Sequence, residues 1–490
     1  MQGKSLIGID IGTSSIKAVL IGSDGTRLDA YGRTHPTQRP EPGQVEQNPS
    51  DWLGHVFSAL NQFSGHPHAD EVAAIGITSQ VNTHVFCDRA FTPLMPAINW
   101  ADTRAKNEAM ALDARLDHLA KIAALGAPIP LDASHALSRM AWVRDHRPDL
   151  WARTAHVLLP KDFVIAHLTG IAVADPLSAV GLVGTDHAYA DAVTGLLTGA
   201  ASRLPRLRDP LDVAGVICTG QKFAGVPVVC GTMDAWASMF GVGVVSEGQI
   251  MNLCGTSDVL GLISKRHAPT AGVVTFPPWH GIRLHAAPTQ SGGAALGWLA
   301  DLFEMPADQV ASLAAQAPVT AKSPLFLPHL EGERAPLWDS ATRGTFAGLS
   351  SGCGRAEMAA AVLEGVAFSA RMALEAIEAS GMCHATHIQI GGGGAASRVW
   401  RQIRATVLGR PLLRMGADEP GALGAAILAG VGTGVLPDLR EAVDRLVAVT
   451  DETIPDETAQ ACADARYRLF CDLYHAARPV NAALSADTPA

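Results

Sequence analysis

Charge and aromatic side chains are both scarce in this 490-residue chain. Asp, Glu, Lys and Arg make up 17% of it, and Phe, Trp and Tyr 5%, with only four tyrosines. Against 48% hydrophobic residues, so little charge excludes an intrinsically disordered polymer. A Lys/Arg cluster is also lacking, and the net charge is −10, which argues against nucleic acid or an anionic lipid surface as the main partner. The eight cysteines (Cys87, Cys218, Cys230, Cys254, Cys353, Cys383, Cys462 and Cys471) form no C-x-x-C pair, so structural zinc is not expected and a reduced compartment is. No run of about 20 uncharged apolar residues could span a bilayer. Near the N-terminus a single Lys precedes Ser5–Ile9, and Asp10 interrupts that apolar run, which is not the pattern of a signal peptide. What remains is a cytoplasmic α/β protein long enough for two or three domains.

What the chain does have is a repeated turn. Leu6–Asp10 and Ile16–Ile21 read as strands joined by Ile11-Gly12-Thr13-Ser14-Ser15, with a third strand near Thr26–Tyr31. A Gly-Thr-Ser-Ser turn presents backbone N–H groups and hydroxyls in a small concavity suited to phosphate oxygens. Asp10 stands beside it, where a carboxylate could hold a hydrated Mg²⁺, and Lys17 lies on the returning strand. About 240 residues later, Cys254-Gly255-Thr256-Ser257 repeats the turn between Gln249–Leu253 and Val259–Ile263. Two such hairpins imply two related domains gripping one nucleotide. Only the first carries the carboxylate, since Leu253 stands where Asp10 would be.

Between the hairpins lie the segments expected to contact an acceptor. Val72–Ile77 reads as a strand ending at Thr78-Ser79-Gln80-Val81-Asn82-Thr83, and Trp100 and Asp102 pair an aromatic with a carboxylate. Val226–Gly231 is an apolar strand, after which Asp234 opens a small-residue helix. A carboxylate at the carboxyl end of a strand lies where α/β folds bind ligands, although it also suits a helix N-cap. A helix is expected from Asn48-Pro-Ser-Asp51, capped by Ser50 or Asp51. Further on, Ile388–Ile390 leads into Gly391–Gly394 and Ser397, a glycine run that permits close approach of backbone to a ligand. Glu419–Gly430 reads as a small-residue helix against which another segment or a flat base packs closely. Surface helices and a frayed Ala/Ser/Thr/Pro tail are expected after Asp451.

Taken together, Gly8-Ile-Asp10-Ile-Gly12-Thr13-Ser14, Gly231-Thr-Met-Asp234, Cys254-Gly-Thr-Ser257, the 391–394 glycines and Gly421-Ala-Leu-Gly424-Ala-Ala resemble the FGGY carbohydrate kinases. Leu159-Pro-Lys-Asp162, Trp100-x-Asp102-x-Arg104 and Leu330-x-Gly-Glu-Arg-x-Pro336 are similar to segments of the family's xylulokinase branch. The resemblance runs from residue 6 to about 440. It implies two ribonuclease-H-like domains of the actin, hexokinase and heat-shock ATPase type with a cleft between them, expected at 1–242 and 243–490. The sugar would lie against the first and ATP mostly against the second. It further implies Asp234 as catalytic base and Asp10 as the residue near Mg²⁺. ATP contacts are implied at Gly12, Thr13, Ser14, Lys17, Gly255, Thr256, Gly393, Gly394 and Ser397. Gln80, Val81, Asn82, Trp100 and Asp102 fall on the sugar side. A homodimer is compatible with it.

Two positions depart from the xylulokinase pattern. Gln80-Val81-Asn82-Thr83 stands for Gln-Met-His-Gly, and Ala235 for the Asn that follows the base. Both alter hydrogen bonding in the sugar pocket, and a lost donor or acceptor there changes discrimination by several kcal/mol. D-xylulose is therefore one acceptor among others, with another ketose or a polyol such as glycerol or erythritol as alternatives. An inactive sugar-sensing protein on this fold is expected to have lost Asp10 or Asp234, and both are present.

Overall fold

The computed structural model describes residues 3–317 and 319–485. They form two compact units, 1–241 with 419–447 and 242–418 with 448–490. The expectation of one boundary after residue 242 is corrected here. The chain leaves the second unit at Glu419 and contributes 419–447 to the first.

The first unit is built on a six-stranded sheet. Its strands are β1 (Ser5–Ile11), β2 (Ser15–Gly22), β3 (Arg27–Thr34), β4 (Val72–Ser79), β5 (Val213–Val216) and β6 (Pro227–Val229), in the order β5-β6-β4-β1-β2-β3. β1, β2 and β3 form an antiparallel meander, β4 and β6 run parallel to β1, and β5 closes the edge antiparallel. In β1 and β4 nearly every residue is buried, as expected of strands covered on both faces.

The second unit repeats the plan. Its strands β7 (Ile250–Cys254), β8 (Asp258–Ile263), β9 (Val274–Thr275), β10 (Leu284–Pro288), β11 (Ile388–Gly391), β12 (Leu412–Met415) and β13 (Val449–Thr453) lie in the order β9-β10-β8-β7-β11-β12-β13. Again a hairpin and its antiparallel neighbour precede two parallel strands and an antiparallel edge. The duplicated Gly-Thr-Ser turns thus occupy the same place in two sheets of like topology.

Local signals account for the helix ends. The helix Pro49–Ser64 is capped by Asn48, whose side chain accepts from the Ser50 amide, with Pro49 in the first turn. The cap is therefore two residues earlier than Ser50 and three earlier than Asp51. Glu457–Ser485 is a single long helix. The expected tail at 486–490 lies outside the described residues.

One helix explains why 419–447 returns to the first unit. The backbone of Pro420–Gly432 lies directly on β1, β4 and the helix Asp234–Gly241. A Cβ at Gly8 would fall 1.8 Å from the Ala422 carbonyl oxygen, and one at Gly76 1.9 Å from that of Ala425. At Gly241 and Gly424 the corresponding distances are 1.9 Å to Pro420 O and 1.7 Å to Ala237 O. Each obstacle is backbone, which cannot swing aside. Gly424→Ala is expected to destabilise the protein by about 3 kcal/mol. The control Gly297→Ala, in a helix where a Cβ meets nothing within 4 Å, should stabilise it by about 1 kcal/mol. Thermal unfolding of the two variants against wild type checks this, and equal melting temperatures would contradict it.

Candidate active site

In the first unit the carboxyl ends of β1, β4 and β6 carry the chemistry. Beyond β6 the turn 230–233 is stapled before it delivers Asp234. Gly231 has φ of +64°, and a Cβ there would lie 2.0 Å from the Ile77 carbonyl oxygen, so only glycine fits. Lys161 Nζ donates to the Cys230 carbonyl at 3.3 Å and pairs with Asp162 at 2.6 Å and Asp175 at 2.9 Å. Burial pulls this ammonium down, but its two carboxylate partners hold it above the ordinary lysine value, so it stays charged. Asp175 also accepts from Thr232 Oγ1 at 2.9 Å, and the Thr232 carbonyl accepts from Thr78 Oγ1 at 2.6 Å. Sequence reading noted Lys161 and Asp162 as part of a family segment without a task. Their task is to fix the peptide bonds ahead of Asp234.

Asp234 begins its helix as expected. Its carboxylate accepts from the next amide, Ala235 N, at 2.8 Å. It lies in a recess, partly open yet ringed by protein. Burial pushes its carboxyl up to about 6, with the Ala235 amide pulling back. Asp10 is near enough for the charge of Asp234 to act on it. Burial first, and Asp234 second, push Asp10 up to about 7; Lys17 opposes the rise and Glu419 adds to it. Asp10 Oδ1 is buried without a hydrogen-bond partner. A desolvated, unpartnered carboxylate oxygen is costly, and a cation would satisfy it, so Asp10 fits the Mg²⁺ expected there. Among the described residues no group of three or more His, Cys, Asp or Glu is arranged to hold a metal. One carboxylate suits Mg²⁺, which keeps most of its water and takes oxygens from phosphates.

Several expected contacts have other partners. Lys17, opposite Asp10 in the β1–β2 register, is paired with Glu419 at 2.7 Å. Asp102, expected on the sugar side, is buried with both oxygens engaged. It accepts from Val45 N at 2.6 Å, Arg104 N at 2.9 Å and the Arg104 guanidinium at 2.7–3.0 Å. These bonds tie it to the loop that carries Trp100. Gln80 is likewise spoken for, accepting from Thr13, Thr83 and Asn99 and donating to Gln47 at 2.8 Å. Val81 and Asn82 stay partly exposed, and Asn82 (φ +54°) donates to Ser134 Oγ at 3.2 Å. In the first hairpin Gly12 N donates to Ser15 O at 3.0 Å, and Ser14 is exposed at the tip.

In the second unit the turn is closed differently, Gly255 N donating to Ser257 O at 3.1 Å, two residues on where the first turn spans three, with Gly255 and Thr256 exposed. The glycine run lies against it. A Cβ at Gly392 would meet Cys254 O at 2.6 Å, and one at Gly394 would meet Cys254 Cβ at 2.9 Å. At Gly393 there is open space. Ser397 is the N-cap of Arg398–Leu408, its hydroxyl accepting from Trp400 N at 3.3 Å. The acid on this side is Asp258, across from Cys254, and it is neutralised by the fully buried Arg404. Sequence reading missed this pair. An arginine among the apolar residues Trp400, Val407 and Leu408 of that helix was the available signal.

Comparison with known proteins agrees with this geometry. Residues 5–241 match the N-terminal domain of the FGGY family of carbohydrate kinases, and residues 250–433 match its C-terminal domain. The chain belongs to that family. As an FGGY protein it is an ATP-dependent sugar kinase. It is 31% identical to the xylulose kinase of Escherichia coli (strain K12) over 500 residues, 97% of this chain and 100% of that one. It is also 31% identical to a glycerol kinase of Aromatoleum aromaticum, over 94% of this chain and 97% of that one. A xylulose kinase structure from Brucella ovis superposes with a TM-score of 0.85 at 27% identity, covering 97% and 100% of the two chains. A gluconate kinase from Lactobacillus acidophilus shares the fold at a TM-score of 0.87 and 24% identity, covering 97% and 98%. No helix is long and apolar enough to cross a membrane, among the described residues.

The electrostatics of this FGGY site predict a stability signature. The folded Asp10 carboxyl holds its proton up to about 7, against an ordinary 3.8. Its contribution to stability is therefore complete below about pH 4 and is lost as pH rises through 7. Asp10→Asn should raise the melting temperature of the ligand-free protein more at pH 8 than at pH 5. A difference independent of pH would contradict the assignment.

Proposed function

We propose that this kinase transfers the γ-phosphoryl group of ATP to a hydroxyl of a ketose, foremost a pentulose such as D-xylulose, with Asp234 as general base. The observation that carries the reading is the recessed Asp234 carboxylate beside Asp10, one of whose buried oxygens has no hydrogen-bond partner, at the strand ends of a six-stranded sheet. A carboxyl near 6 is ionised at neutral pH yet basic enough to take the acceptor's proton as the O–P bond forms, a contribution of typically about 10²–10⁴-fold. The stapled turn 230–233 holds that base at a fixed height, which phosphoryl transfer needs because it depends chiefly on positioning. A bound Mg²⁺ would neutralise charge on the phosphate oxygens, and Asp10 is the residue to hold it through water. The Gly12 and Gly255 amides close their own turns, which leaves the amides at Thr13, Ser14 and Thr256 to offer donors to phosphate, and the open backbone at Gly393 leaves room for a ligand.

The pentulose assignment draws on the likeness to xylulose kinases. Asn82 and Ala235 favour a second reading, a glycerol-like polyol or another ketose, because both alter hydrogen bonding relative to the xylulokinase pattern, Asn82 by putting an amide in place of an imidazole and Ala235 by removing a carboxamide. All eight cysteines are free, which suits a reducing cytoplasm.

A coupled ADP-release screen over ketopentoses, ketohexoses, heptuloses and short polyols with Mg-ATP tests the function. D-xylulose is expected to give the highest kcat/KM. Turnover confined to a polyol would replace the pentulose reading, and no turnover on any acceptor would leave a binding protein. Asp234→Asn should lower kcat by at least about 100-fold while retaining ATP binding by calorimetry. Near-normal rates in that variant would remove Asp234 from the role of base.

A further inference from the structure

We propose that the Thr13 hydroxyl is a positioning link between the acceptor segments and the first hairpin, and not itself a ligand of the phosphate. The proposal rests on the sugar-kinase reading of this site and assigns a task that the reading does not require.

A threonine hydroxyl has one proton. In Thr13 that proton is donated to Gln80 Oε1 at 3.2 Å, while the oxygen accepts from Trp100 Nε1 at 3.0 Å. The group expected to point at phosphate is thus held between two residues expected to contact the acceptor. The link closes on itself. Gln80 Nε2 donates to Gln47 Oε1 at 2.8 Å, and Gln47 Nε2 donates to the Thr13 carbonyl at 2.6 Å. Gln80 N also donates to the carbonyl of Ile11 at 3.0 Å, at the base of the hairpin. Trp100 is anchored a second time, its amide donating to Thr83 Oγ1 at 3.2 Å, and Thr83 in turn donates to Gln80 Oε1 at 3.2 Å.

Gln80 is 2% exposed, Gln47 1% and Thr83 buried completely, so water cannot cheaply replace the bonds among these three. Thr13 and Trp100 are the members left partly open. An acceptor stacked on its ring would set the tilt of the indole, and with it the direction of the N–H bond to Thr13. The hairpin amides are carried on the same residues, so occupancy of the acceptor side and affinity for phosphate are coupled, in both directions. Trp100 is then more than a wall. Its N–H group matters to nucleotide binding although the ring faces the acceptor.

A double-mutant cycle separates this from a purely local role. Thr13→Val, Trp100→Phe and the double variant are compared with wild type, with the dissociation constant of Mg-bound non-hydrolysable ATP read by calorimetry and KM read for ATP and acceptor separately. Each single variant should weaken nucleotide binding about three- to tenfold, the double should be no weaker than the weaker single, and Thr13→Ser should restore wild-type affinity. Trp100→Phe raising only the KM for acceptor, or the two single effects multiplying in the double variant, would overturn the link. Failure of the kinase reading looks different, since wild type would then release no ADP with any acceptor.

Discussion

The structure of the first unit depends on one close approach, that of the Pro420–Gly432 backbone to β1, β4 and the Asp234–Gly241 helix. Four glycines far apart in sequence, Gly8, Gly76, Gly241 and Gly424, are each pressed against a carbonyl that leaves no room for a Cβ. No side chain separates the helix backbone from β1, β4 or the Asp234–Gly241 helix at these four points. Asp10 lies near the end of β1, and Asp234 follows β6. Gly421, on the same helix, is so near that a Cβ would fall 2.3 Å from Asp10 Oδ2. The packing that closes the core also removes water from the carboxylate, which is how a structural constraint becomes an electrostatic one.

The two hairpins show what that electrostatics is for. They occupy the same place in their sheets, and both have an acid nearby, but Asp258 in the second is matched by Arg404 inside the core. Asp10 has no such cation against it. Lys17 is drawn toward Glu419, and one oxygen of Asp10 remains without a partner. The second hairpin is built for stability and the first keeps an unmet charge, as expected where stability yields to function. The buried Lys161 with Asp162 and Asp175 belongs to the stabilising kind, since removing either partner of such a pair leaves a costly charge behind.

Much of this was legible in the sequence. The Gly-Thr-Ser turns between apolar runs announced two related sheets, and the strand ending at Gly231 announced a presented carboxylate. Small residues in 421–430 announced close packing. They could not say against what, because the glycines that receive the helix lie near residues 8, 76 and 241, and this is why the return of 419–447 to the first unit was not foreseen. The same limit applies at the site. Asp102 and Lys17 are residue types that suit a ligand, but Arg104, Val45 and Glu419 meet them first. The hydrogen bonds of the Thr13 hydroxyl were not legible in the sequence, since its partners Gln80 and Trp100 come from segments about 70–90 residues away. Ordered motifs reveal where chemistry is located. Which atoms remain free for it is decided by long-range contacts.

The central claim is that packing recesses Asp234 far enough to make it a base with a carboxyl near 6. The most direct test is the pH dependence of kcat/KM for the best acceptor at saturating Mg-ATP. The account predicts a plateau at neutral pH and a tenfold fall per pH unit on the acid side, with the break near 6. A rate that stays flat down to pH 4.5, or one that rises on acidification, would contradict it.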